Sequence, residues 1–312
     1  MTPIFVAGAT GVIGRYTLPL LLDASHEVVA VARTAQKQAW LERLGARPVL
    51  LDVFDPAAVL RAVDGAEVII NLTTAVPRSV LAIFLPRAWR EMGRVRRQVS
   101  ANLANAALAG GTVRRMIQES FAPIYPDGGD AWLDETSPAR PERYNRSTLE
   151  AEAQADRLTR TGRIGVVLRF GLLYGPEDAG TTQFIESVHR GLFPLPGRPE
   201  GYGSWAAHQD AARAVMAALS VPAGVYNVVE DAPMRRAELG AGLARLLGTR
   251  PPRFPPAWAV RFAGSVARQL ARSERISNRK LRSASEWAPS YPTTLDGLAA
   301  IVGEGRATRM AS

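Results

Sequence analysis

Three glycines set three residues apart, directly behind an apolar run, constrain this chain more than any other feature. In Phe5-Val6-Ala7-Gly8-Ala9-Thr10-Gly11-Val12-Ile13-Gly14 a β-rich run passes through a glycine turn into a helical stretch. Gly8 permits a tight turn, Gly11 lets the backbone approach a pyrophosphate, and Gly14 lets the new helix pack closely on the strand. The helix N-terminus then turns free N–H groups and a partial positive charge toward phosphate. Gly8, Thr10, Gly11, Val12, Ile13 and Gly14 are therefore expected to hold a dinucleotide; the alternative is a purely structural turn.

The order of the following segments suits such a loop. Apolar runs at Ile4–Ala7, Val28–Ala32, Pro48–Leu51, Val68–Asn71 and Arg115–Gln118 alternate with helical stretches near 14–24, 37–44, 56–63 and 87–109. A further strand reads Ile164–Phe170, behind a helix beginning near Glu142. This alternation is the signature of βαβ units. The expected fold is α/β, a Rossmann-type doubly wound parallel sheet over residues 1–171, with a smaller substrate-binding cap drawn mainly from 172–312. In the second part Gly and Pro punctuate Pro194–Pro199 and Pro251–Pro256. Helices near 209–220, 235–247, 258–270 and 293–303 and a strand at Val225–Val229 complete it.

Composition removes several chemistries. The 312 residues contain no cysteine and three histidines scattered singly, which excludes disulfides, thiolate nucleophiles and Cys-ligated metal and disfavours a zinc cluster. No apolar run reaches the roughly 18–20 residues of a membrane span. Met1-Thr2-Pro3-Ile4 leads straight into a strand, without the charged region and cleavage site of a signal peptide. A soluble, cytoplasmic protein is expected. The formal charge of +9 is nearly all arginine and spread along the chain, so no nucleic-acid tail is read from it. The densest cluster is Arg87, Arg90, Arg94, Arg96 and Arg97, of which 87, 90, 94 and 97 fall on one helical face. That face reads as solvated, or as facing an anionic partner.

The end of the second strand separates NAD from NADP. An acid there would bind the ribose 2′-hydroxyl. The chain instead reads Val31-Ala32-Arg33-Thr34-Ala35-Gln36-Lys37. Arg33 is placed to pair with a 2′-phosphate and Lys37 lies one turn on, so NADP is expected, with NAD possible. In Leu51-Asp52-Val53, Asp52 is positioned to accept from the adenine amino group, or else to cap the helix ahead of Pro56.

With these residues in view the chain resembles the extended short-chain dehydrogenases, the NAD-dependent epimerase/dehydratase group. Gly8–Gly14 matches the group's GxxGxxG. Asp64–Leu72 is similar to the fourth-strand segment lining the cofactor, which adds Leu72 to the expected cofactor residues, and Val53, next to Asp52 after the third strand, is expected among them too. Leu168-Arg169-Phe170-Gly171-Leu172-Leu173-Tyr174-Gly175-Pro176 resembles LRxxxxYGP, and His208-Gln209-Asp210-Ala211-Ala212 resembles H-x-D-x-A. Asn102–Ala107, Gly224–Val228 and Ser277–Trp287 extend the likeness over nearly the whole chain.

The resemblance implies a tyrosine with a lysine four residues later, the lysine holding the nicotinamide ribose and lowering the tyrosine pKa. Here Tyr144 is followed by Thr148, and Arg146 lies about 200° around an α-helix from Tyr144. The group's serine or threonine would fall at Phe121, with Ser120 as its neighbour and Glu119 as an uncommon acid at this strand's end. The candidate catalytic residues are Tyr144, Ser120, Glu119 and Thr148. Glu119 reads either as a surface carboxylate or as a new general acid/base.

Three functions remain open on the sequence. One is an atypical NAD(P)-dependent oxidoreductase or epimerase acting on a small molecule, a sugar nucleotide or a natural-product intermediate. Another is a non-redox cyclase, isomerase or dehydratase with a structural dinucleotide. The third is a non-catalytic NADP-sensing protein. Phe184, Phe193, Tyr202, Trp205 and Trp258 line a substrate pocket or pack the cap, and Arg169, Arg190, Arg198 and Arg213 are candidates for a diphosphate clamp. A homodimer is compatible with this class.

Overall fold

The computed structural model describes residues 2–76, 89–256, 258, 260 and 262–311, with side chains to 304. Arg87 and the start of the helix expected at 87–109 lie outside the described residues. Seven parallel strands form the central sheet: β1 (Pro3–Ala7), β2 (Glu27–Ala32), β3 (Arg47–Leu50), β4 (Val68–Asn71), β5 (Arg115–Phe121), β6 (Ile164–Phe170) and β7 (Gly224–Val228). Their order is β7-β6-β5-β4-β1-β2-β3, a Rossmann-type doubly wound sheet. The order reverses between β1 and β4, and the crevice at such a switch point is where this architecture binds ligands.

The inner strands β1, β4, β5 and β6 bury both faces, as a sheet covered on two sides requires, whereas the edge strand β3 leaves Arg47 and Leu50 exposed. Ile4 and Val6 of β1 join one core with helices α1 (Val12–Asp23) and α8 (His208–Ala217). Phe5 and Ala7 join the other, against α3 (Pro56–Val63), α5 (Ser100–Ala109) and α6 (Ser147–Thr159). Local signals set the helix ends. Helix α2 (Ala35–Leu44) starts where Thr34 Oγ1 accepts from the Lys37 N–H, and stops at Gly45 with φ of 94°. Asp55 caps α3 by accepting from the N–H groups of Ala57 and Ala58, with Pro56 in the first turn.

Two expected helices differ in form. The segment near 89–109 is α4 (Trp89–Arg94), a π-helical turn (Val95–Val99) and then α5. The helix expected from Glu142 is a 3₁₀ turn at Arg143–Asn145, and α6 begins only at Ser147. Tyr144 and Thr148 therefore do not sit on one regular α-helix.

The C-terminal part of the chain also contains α7 (Ala179–His189), α9 (Arg236–Leu247), α10 (Gly264–Leu270), α11 (Arg279–Ala284) and α12 (Thr294–Ala311). Phe184, Phe193 and Trp205 pack its core with Leu239, Leu243 and Leu298 rather than lining a pocket. Trp258 is exposed. No helix among the described residues is long and apolar enough to cross a membrane.

Candidate functional site

The glycine loop leaves β1 at the switch point. Gly8 has φ of 89°, and a Cβ there would lie 2.5 Å from the Leu72 carbonyl carbon at the end of β4. A Cβ on Gly14 would collide with the carbonyl oxygens of Gly8 and Ala9. The protein's own backbone thus demands glycine at both positions. Gly11 differs: its backbone is extended, and a Cβ there would meet only the Gly8 oxygen, at 3.1 Å. It is exposed and serves as N-cap of α1 with no side chain to cap it. Thr10 is half-buried, Val12 exposed and Ile13 buried against the sheet. Space kept open above first-turn N–H groups fits a pyrophosphate.

At the adenosine end, Arg33 is exposed directly after β2, and Lys37 lies in the first turn of α2. The helix-capping role belongs to Asp55. Asp52 is exposed and accepts through one oxygen from the Phe54 N–H, 3.0 Å away. Val53 and Leu72 are buried, and the Leu72 N–H donates to the Ala7 carbonyl.

Tyr144 is held by its neighbours on both sides. Glu142, just before its 3₁₀ turn, is ion-paired with Arg268 and Arg272 at 3.0 Å each, and Arg272 also donates to the carbonyls of Tyr125 and Arg140. The Trp89 ring meets the Tyr144 ring edge-on at 4.6 Å. Burial pushes the Tyr144 phenol well above its ordinary value, against the opposing pull of the Arg96 charge.

Arg96 is the member of this cluster that sequence reasoning did not single out as a candidate site residue. Arg90, Arg94 and Arg97 are exposed, as a solvated face requires, but Arg96 is only 4% exposed. Its Nη1 donates to Asn145 Oδ1 at 2.5 Å and to Thr148 Oγ1 at 2.7 Å, and its Nη2 lies 3.6 Å from Glu119 Oε1. Glu119 is buried, not a surface carboxylate; burial raises its carboxyl pKa, with Arg96 pulling the other way. Thr148, fully buried, donates to Asn145 Oδ1 at 2.7 Å. The structure thus brings Tyr144, Thr148 and Glu119 around one buried guanidinium.

Ser120 is engaged elsewhere. Its hydroxyl donates to Glu152 Oε1 at 2.5 Å, and Glu152 is gripped by Arg169 through two bonds of 2.8 and 2.7 Å. Arg169 in turn donates to the Tyr125 hydroxyl, which donates to Asn227. This buried chain ties β5, α6, β6 and β7 together.

Known proteins place the chain. Residues 4–228 match the NAD dependent epimerase/dehydratase family. A 3-diazoavenalumate denitrifying reductase from a Streptomyces species is 35% identical over 309 residues, covering 95% of this chain and 98% of that protein. Among solved structures, MoeE5 in complex with UDP-glucose and NAD superposes with a TM-score of 0.76 at 22% identity, over 99% of this chain and 100% of its own. Human epimerase family protein SDR39U1 with NADPH gives 0.77 at 20% identity, over 97% and 99%. At these identities the two structures establish the fold. The family match, spanning well over half the chain and supported by the full-length relative, identifies the rest: this chain belongs to the NAD-dependent epimerase/dehydratase family, and a nicotinamide dinucleotide is its class of cofactor.

Proposed function

We propose that this chain is an NADP(H)-preferring reductase of a small electrophilic organic molecule, not a sugar-nucleotide epimerase. The observation that carries this reading is the Tyr144 site. Interconverting a carbonyl and an alcohol needs a proton at oxygen, and a tyrosine supplies it well only when its pKa is brought down toward neutrality. Here burial holds the phenol up, position 148 is threonine, and the nearby cation Arg96 is bound to Asn145, Thr148 and Glu119.

Gly8, Gly11 and Gly14 would hold the pyrophosphate, Arg33 and Lys37 the 2′-phosphate, and Asp52 the adenine. When bound, the cofactor supplies a hydride equivalent. Reduction of an electrophile that expels a neutral leaving group asks no proton of the protein. An aromatic diazo acid is such a substrate: hydride replaces the diazonium group and dinitrogen leaves. The full-length relative named as a reductase of a diazo compound supports this class. The four arginines considered for a diphosphate clamp speak against sugar nucleotides, because each faces a carboxylate of its own: Arg169 with Glu152, Arg190 with Glu186, Arg198 with Asp127 and Arg213 with Asp210.

The test is anaerobic incubation of the purified protein and NADPH with an aromatic diazo acid, a ketone and UDP-glucose in parallel. Cofactor oxidation matched by dinitrogen release supports the proposal. Conversion of UDP-glucose to UDP-galactose without net cofactor consumption overturns it. Calorimetry should show tighter binding of NADP than NAD, by about 10-fold or more from a charge-assisted contact, and Arg33→Ala should reduce the difference, with Lys37 retaining part of it.

A further inference from the structure

The buried cluster around Arg96 is incomplete. The π-helical turn Val95–Val99 departs from α-helical spacing at the point where Arg96 is buried, and such turns recur at functional sites. Thr148 has no donor left, since its one O–H goes to Asn145 and its oxygen accepts from Arg96. Yet the Arg96 Nε–H, the Asn145 Nδ2 amide and Glu119 Oε2 are buried without partners. Unpaired buried polar atoms are costly, and three in one cluster beside Tyr144 mark a place that a polar group completes.

Two donors and one acceptor define that group. A carboxylate or phosphate would meet the Arg96 and Asn145 donors but be repelled by Glu119. An apolar group would leave all three atoms unpaired. A pair of neighbouring hydroxyls accepts from Arg96 and Asn145 and donates to Glu119. We propose that Arg96, with Asn145 and Glu119, binds the ribose diol next to the reactive nicotinamide ring, so that a cation from the π-helical turn makes the ribose contact, though not the tyrosine activation, expected of a lysine at 148. This rests on the dinucleotide reading above. Arg96 is then a binding and positioning residue, and Thr148 its anchor.

Calorimetry with NADP+ and with 2′,5′-ADP, which lacks the nicotinamide riboside, separates this proposal from the reading beneath it. Arg96→Met should weaken NADP+ binding at least 10-fold while 2′,5′-ADP stays within twofold. Arg96→Lys should recover part of the loss. Because Arg96→Met leaves Glu119 buried without its cation, the double variant R96M/E119Q repeats the comparison with no stranded charge, and a thermal melt reports its folding. An unchanged ratio of NADP+ to 2′,5′-ADP affinity in both variants overturns the proposal and leaves the cofactor reading standing. A wild type that binds neither ligand overturns both.

Discussion

Placing a lysine at position 148, the obvious way to restore the family's pattern, should damage this protein. Thr148 Oγ1 lies 2.7 Å from Arg96 Nη1, and the threonine is fully buried, so an ammonium introduced there arrives beside a guanidinium. Two like charges about 4 Å apart at an effective dielectric of about 20 repel by roughly 4 kcal/mol. For a chain of this length the unfolding entropy is about 0.65 kcal/mol/K, so Thr148→Lys should lower Tm by about 6 °C. A buried lysine escapes part of this cost by losing its proton, so the loss should deepen as pH falls.

Removing the guanidinium as well reverses the sign. In R96M/T148K the ammonium replaces the guanidinium opposite Glu119, and most of the lost stability should return. A double-mutant cycle by chemical unfolding measures the coupling directly, with an expected value near 4 kcal/mol. If Thr148→Lys is as stable as wild type at pH 6 and the coupling is below about 0.5 kcal/mol, the Arg96 charge does not sit against position 148. The account of the site would then be wrong.

Other substitutions test the remaining parts of the structure. Gly11→Ala should leave Tm within about 2 °C, since its backbone is extended and its Cβ meets only one oxygen, yet reduce dinucleotide affinity 10-fold or more; Gly14→Ala should instead cost about 1–3 kcal/mol of stability, because its Cβ overlaps two carbonyls. Glu230 is buried, accepts from the Trp205 N–H and the Thr294 hydroxyl, and burial pushes its carboxyl up to about 8. A raised folded-state pKa means the folded protein keeps a proton that the unfolded chain releases near pH 4.5, so this stability is complete below that pH and lost as pH rises through about 8. The span is on the order of 5 kcal/mol; Glu230→Gln should flatten the pH dependence of urea unfolding between pH 5 and 9, and an unchanged slope rejects the assignment.

Much of the fold was legible because the sheet is buried on both sides. Continuous runs such as Val68–Asn71 and Ile164–Phe170 leave little choice of element, and both agree with the structure residue for residue. Strand β5 was read three residues short, at Gln118. Glu119 and Ser120 look like a strand's polar exit, but they continue the ladder opposite Leu168 and Arg169 and carry buried polar networks at its end. The sequence reading starts a helix near Glu142, where the structure has a 3₁₀ turn at Arg143–Asn145. What fixes it is Glu142, held by Arg268 and Arg272 more than a hundred residues away. Helix α7 has no counterpart in the sequence reading; Asp178 starts it by accepting from the Thr181 N–H.

The candidate catalytic face was illegible for a sharper reason. At 100° per residue, Arg90, Arg94 and Arg97 lie within about 60° of one another on an ideal helix, whereas Arg96 falls about 120° from Arg90. Its odd phase was therefore present in the sequence. A cation turned toward the core must find acceptors there, and that alone could have flagged it. Sequence could not say which acceptors, because Glu119, Asn145 and Thr148 lie 23 to 52 positions away and meet Arg96 only through the packing of α5 and α6 beside β5. Judged by itself, Thr148 is a lost lysine. Judged with Arg96, it is the acceptor for a cation that reaches this site from the π-helical turn rather than from α6. The two positions are therefore coupled in folding, and neither single substitution should behave like the pair.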